Sequence, residues 1–169
     1  HSKNLIYRDL NVDNIMLNLN LEVKMIDFGL AHICDVLYGE EAMSNFSLTK
    51  NVGSDAFMSP EMSNDDDYDS KTDVYSFGVV VYYIFTGKLP NQTFRDKMKL
   101  KPISLPKESE SISKVCIELM KRCLSIKPKD RPTFSEILDF LRKNKYMLAS
   151  DVEQIVIERR DNELELANK

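Results

Sequence analysis

The sequence predicts a mainly α fold with a short β-hairpin, and three observations lead there. Two polar-flanked runs repeat apolar residues at i, i+3, i+4 and i+7, within 112–123 and 133–141. A long apolar stretch within 72–85 is closed by Gly87, a residue suited to ending a helix. Two short runs, Ile15-Met16-Leu17 and Val23-Lys24-Met25-Ile26, flank the turn Asn18-Leu19-Asn20 and read as paired strands.

In chain order, the hairpin comes first. Residues 30–58 follow without clean periodicity and are rich in Ser, Asn and Thr. A loop of that length inside a domain is usually functional or disordered. A helix is expected from Thr72 to Phe85, with Phe77–Phe85 buried on all sides. Residues 88–107 carry Pro90, Pro102 and Pro106 and allow at most a short helix. Ile112, Val115, Cys116, Leu119, Met120 and Cys123 share one face of the next helix. Thr133 and Glu136 form a capping box ahead of a helix whose apolar face is Phe134, Ile137, Leu138 and Leu141. The domain is read as 1–143, followed by a charged tail, 144–169, which is either a docking helix or a solvated end.

With 169 residues and 43% hydrophobic content, one domain is expected. A chain this size buries roughly 70% of its unfolded surface, so it can hold a real core. The net charge of −4, with both signs interleaved, argues against nucleic-acid binding. The longest apolar stretch is too short to span a bilayer. Cys34, Cys116 and Cys123 are odd in number and lack metal spacing, so they read as core thiols of a reducing, cytoplasmic compartment. The acidic run Asn64-Asp65-Asp66-Asp67 lacks the glycine and distal glutamate of a calcium loop. It and the lysines Lys97, Lys99 and Lys101 read as solvated stretches.

The chemistry is concentrated in Tyr7-Arg8-Asp9-Leu10-Asn11-Val12-Asp13-Asn14 and, thirteen residues later, Asp27-Phe28-Gly29. Asp9, Asn14 and Asp27 offer one candidate base and two oxygen ligands for a hard cation, which is the inventory phosphoryl transfer needs. Each could instead be a turn residue. A glycosidase-like pair from Asp9 and Asp27 lacks sugar-binding aromatic support, since the chain has no Trp.

These two motifs resemble the catalytic loop and metal-binding triplet of eukaryotic protein kinases. Ser59-Pro60-Glu61, Asp73-Val74-Tyr75-Ser76-Phe77-Gly78 and Asp130-Arg131-Pro132 resemble three further landmarks of that family in the right order. The Ser-Phe-Gly wording and Gly53-Ser54 are most similar to the tyrosine-kinase-like group, most of whose members phosphorylate serine and threonine. The resemblance implies the large, C-terminal lobe of the kinase fold. A glycine-rich phosphate loop and a Val-Ala-x-Lys strand do not occur in the sequence. With His1 falling inside what resembles the helix before the catalytic loop, the expectation is a lobe from a longer kinase. On that expectation the missing lobe and upstream domains are partners, and the isolated chain is close to inert.

The resemblance also implies roles. Asp9 is the catalytic base and Asn11 its catalytic neighbour, where serine/threonine kinases carry a lysine. Asn14 and Asp27 hold Mg2+ and with Met16 contribute to the ATP site, Met16 as the apolar floor beneath the adenine. Arg8 pairs with a phosphate on the activation loop, with Ser47 and Thr49 as candidate acceptors. Ser54 lines the substrate pocket beside Phe57. Tyr7 and Phe28 belong to an apolar stack, Glu61 and Arg131 form a buried ion pair, and Asp73 anchors the catalytic loop. The implied activity is ATP-dependent phosphorylation of serine and threonine side chains on protein substrates. The alternative is a pseudokinase-like interaction module, favoured by Asn11.

Overall fold

A computed structural model of the chain describes residues 5–33, 55–64, 69–92, 96, 97, 99–107 and 112–167. The described elements are mostly helical, with two small antiparallel ladders at the N-terminal end. Strand β1 (Leu5–Ile6) pairs with β4 (His32–Ile33), and β2 (Ile15–Leu17) pairs with β3 (Val23–Met25). The hairpin expected from the sequence is present, while β1 and β4 are additional. β1 stands where the end of a helix was expected, and β4 lies inside the expected loop. Two-residue strands carry no readable period, so only their pairing defines them. That pairing brings the two ends of the 7–31 segment together.

Helices whose bounds fall among the described residues follow: α1 (Pro60–Ser63), α2 (Lys71–Thr86), α3 (Lys114–Cys123), α4 (Phe134–Lys143) and α5 (Lys145–Ala167). Gly87 ends α2 in the left-handed region at φ 68°, with its N–H on the Tyr83 carbonyl at 2.8 Å. Ser113 caps α3. Thr133 and Glu136 make the reciprocal capping box on α4, and its hydrogen bonds hold the Glu136 carboxyl below its ordinary value.

The core lies where α3 crosses α2. Cys116, Met120 and Cys123 meet Val74, Tyr75 and Val79, all essentially inaccessible. A Cβ on Gly78 would lie 2.8 Å from that of Cys123, so glycine is what lets the helices approach this closely. Burial pushes the thiols of Cys116 and Cys123 up to about 12, which makes them inert core groups.

The expected all-round burial of Phe77–Phe85 is corrected. α2 is enclosed from Thr72 to Val81, whereas Tyr83 and Ile84 are exposed. Its partners, the 55–60 segment, α3 and Arg131, contact the first half of the helix. Leu138 is also exposed rather than part of the α4 face, and Phe140 packs inward instead. Asn144 separates α4 from α5. α5 is docked at Asp151, which is buried and accepts the Ser113 hydroxyl at 2.5 Å. Among the described residues, no helix is long and apolar enough to cross a membrane.

Arg131 ties these parts together. Its guanidinium makes a bidentate pair with Glu61, at 2.5 and 2.8 Å, and also donates to the carbonyls of Lys71, Ser125 and Ile126. It lies over the Tyr75 ring at 5.0 Å. Removing one partner of a buried pair leaves an uncompensated charge and costs about 3–5 kcal/mol. Glu61→Ala should therefore lower the unfolding free energy by about that amount in urea titration, while Glu136→Ala, at an exposed cap, should cost far less.

Candidate active site

The site is built on the backbone of the 7–14 turn, which is anchored from below. Asp73, in the first turn of α2, is 2% exposed and accepts the N–H of Tyr7 at 2.7 Å and of Arg8 at 2.8 Å. Arg8 has φ 68°, a left-handed conformation unfavourable for a residue with a side chain. The two bonds to Asp73 hold it there. Burial raises the Asp73 carboxyl above its ordinary value, against the pull of the two backbone donors.

The strained turn delivers Asp9 to a pair of amides. Asn11 Nδ2 donates to Asp9 Oδ1 at 2.9 Å, and Asn14 Nδ2 donates to Asp9 Oδ2 at 2.9 Å. Both amides also reach the Asp9 carbonyl. The carboxylate is thus gripped at both oxygens, and its orientation is defined. The other end of Asn11 is equally committed. Its Oδ1 accepts the N–H groups of Asp13 and Asn14, at 2.9 and 3.1 Å, capping the 3-10 turn Val12–Asn14. Asn11 is buried, so its amide works inside the loop, orienting the Asp9 carboxylate and shaping the turn.

The β2–β3 register brings the third residue in. Ile15 lies opposite Met25, and the Ile26 N–H continues the ladder to the Asn14 carbonyl at 3.0 Å. Asp27 therefore follows immediately beyond the residue that faces Asn14. It is exposed, has φ 57°, and accepts the Gly29 N–H on Oδ1 at 3.1 Å. Tyr7 reports the same convergence. Its buried hydroxyl donates to the Ile26 carbonyl, and burial followed by the charges of Asp9, Asp27 and Asp73 raises its pKa.

Sequence reasoning paired Tyr7 and Phe28, and their rings meet edge to face at 5.2 Å. Tyr7 is buried, but Phe28 is 53% exposed and Met16 50% exposed, on a hairpin whose Leu17, Val23 and Ile26 are also uncovered. Arg8 Nε donates to the Leu30 carbonyl. Glu61 and Arg131 pair with each other away from the loop, as structural residues. Ser47, Thr49 and Ser54 lie outside the described residues, as do Cys34 and 65–67.

One expectation is reversed. Lys97, read as solvated, is 1% exposed. Nothing in its polar surroundings in the sequence signals this, because the groups that enclose it are 39–42 positions away.

The profile of the family described as "Protein kinase domain" matches residues 1–141. The chain belongs to the protein kinase family. Among curated proteins, this kinase domain is 35% identical over 162 residues to a probable serine/threonine-protein kinase, kinX, of Dictyostelium discoideum. The alignment covers 90% of the chain and 14% of that protein. It is 32% identical to the RGS domain-containing serine/threonine-protein kinase A of the same organism, covering 89% of the chain and 13% of the relative. It is 35% identical to the serine/threonine/tyrosine-protein kinase HT1 of Arabidopsis thaliana, covering 85% and 36%. The chain thus spans about a third or less of these relatives. The mostly helical architecture with its small sheets is that of a C-lobe-like part of a kinase domain.

Asp73→Asn tests the anchor. An amide offers one acceptor oxygen where the carboxylate uses two, which leaves a buried N–H facing an NH2 group at a cost of about 1–3 kcal/mol. Amide exchange of Tyr7 and Arg8, followed by NMR, should accelerate well beyond that of residues in α3.

Proposed function

We propose that this kinase domain belongs to an ATP-dependent protein serine/threonine kinase of the tyrosine-kinase-like group. The observation that carries the reading is the Asp9 carboxylate held at both oxygens by Asn11 and Asn14, with Asp27 brought beside Asn14 by the hairpin register. Asp9 is the base: gripped on two sides, it is only partly buried and can take up the proton of an incoming hydroxyl. The Asn14 amide turns its nitrogen to Asp9, so its oxygen faces the other way. That oxygen and the exposed Asp27 carboxylate are the hard donors magnesium favours. When bound, Mg2+ would neutralise phosphate charge and hold the phosphates in line.

The uncovered apolar surface of Met16 and Phe28 suits a nucleotide and a second lobe lying over the hairpin. Ser54 and the buried Phe57 belong to the acceptor pocket, and their resemblance supports serine or threonine as the acceptor. Arg8 is the partner for a phosphate on the activation loop, with Ser47 and Thr49 as its candidate sites. Glu61, Arg131 and Asp73 hold the frame. Protein substrates, a cytoplasmic setting and a larger parent protein complete this reading.

Asn11 favours a second reading, an interaction module without catalysis. The residue carries no charge, and both ends of its amide are engaged within the loop. Losing one preorganised electrostatic donor typically lowers turnover about 10²–10³-fold. The natural protein should therefore transfer phosphate from ATP to a protein acceptor slowly, and Asp9→Asn should abolish the transfer. Asn11→Lys should raise turnover even though it removes the cap on the 3-10 turn. Transfer absent in both proteins would establish the interaction module instead, and transfer unaltered in Asp9→Asn would overturn Asp9 as the base.

A further inference from the structure

The segment 55–58 is neither helix nor strand, yet its four carbonyls are all satisfied by side chains. The Lys97 ammonium donates to Asp55, to Ala56 at 3.2 Å and to Met58 at 2.7 Å. The Phe57 carbonyl accepts the Ser76 hydroxyl of α2 at 2.9 Å. An ammonium has three N–H donors, so Lys97 is matched one to one with three carbonyls. A buried charge on neutral acceptors is tolerated only where its donors are all used.

The backbone at Lys97 is itself held by its neighbours in the chain. The Leu100 N–H returns to its carbonyl at 2.8 Å, the Lys101 N–H returns to Asp96 at 2.9 Å, and Lys101 Nζ bonds the Asp96 carboxylate at 2.7 Å. Gln92 joins Lys101 to the core, donating to the Lys101 carbonyl and accepting the hydroxyl of the buried Tyr75. The clamp therefore runs from α2 through Gln92, Lys101, Asp96 and Lys97 to the 55–58 segment.

We propose that Lys97 is a positioning residue for the protein substrate, holding 55–58 in the one backbone shape that forms the wall of the acceptor pocket. This rests on the kinase reading above, and it assigns to that reading a residue distant from the phosphate chemistry. Lys97 touches no reacting atom in this scheme and acts only through the carbonyls it holds.

Two readouts test it on the natural protein. In Lys97→Met, amide exchange by mass spectrometry over the peptide covering 55–64 should be at least about tenfold faster, with α3 unchanged. With ATP and dephosphorylated casein, KM for casein should rise about tenfold while kcat and KM for ATP stay within about twofold. Unchanged exchange in the folded variant overturns the clamp. Faster exchange with an unchanged casein KM overturns the positioning role.

A wild-type pH series needs no variant. Burial lowers Lys97 to about 8, against the opposing pull of Asp55, the charged group acting on it from the facing segment; among the described residues beside it in the chain, Asp96, Lys99 and Lys101 are charged. Below that value the ammonium fills three carbonyls, and above it a neutral amine can donate only two bonds. After correction for intrinsic rates, protection over 55–64 should fall as pH rises through about 8, while that of α3 holds. If the natural protein transfers no phosphate, the functional reading and the substrate role fall together, and the exchange data alone decide whether the clamp exists.

Discussion

Two consecutive N–H groups, those of Tyr7 and Arg8, converge on the buried carboxylate of Asp73, and the geometry of the site depends on that convergence. It is a contact between positions 65 and 66 residues apart, and it lets Arg8 keep a backbone conformation that would otherwise relax. Once Arg8 is held, the turn that follows presents Asp9 to Asn11 and Asn14, and the β2–β3 ladder brings Asp27 alongside. α2 is therefore more than core. Its first turns carry Asp73 toward the 7–14 turn, Thr72 and Ser76 toward the 55–60 segment, and Tyr75 toward Arg131.

A second theme is irregular backbone satisfied by buried cationic side chains. The 55–58 segment and the stretch at Ser125 and Ile126 are neither helix nor strand, so regular pairing does not satisfy their carbonyls. Arg131 serves one side, with a planar fork that bonds Glu61 at two points and three carbonyls besides. Lys97 serves the other, with a compact ammonium that fits three converging carbonyls. The two cations are not interchangeable, because a fork matches a carboxylate and a point charge matches a cluster of carbonyls.

Asn11 is the residue whose meaning changes most between sequence and structure. Compared with the lysine common at this place in serine/threonine kinases, it is a charge removed. In the folded loop it is also a cap for two backbone N–H groups and a second hand on Asp9. An asparagine can do both because its amide carries a donor and an acceptor on one short arm. The loop thus gives up electrostatic reach and gains a more tightly determined Asp9 carboxylate.

The sequence by itself determined what depends on neighbours in the chain. The hairpin, the left-handed Gly87 cap, the Thr133–Glu136 box and the apolar face of α3 all follow from local periodicity and capping chemistry, and the ordered motifs pointed to the family. Tertiary structure decided what depends on distant groups. Strands β1 and β4 exist only as partners of each other, the burial of α2 stops where its neighbours stop, and Leu138 yields to Phe140 because α4 turns that side to the core. Lys97 is the sharpest case. Whether a lysine is solvated or buried depends on whether carbonyls converge on it, and those carbonyls come from a segment about forty residues away, which no local pattern can encode.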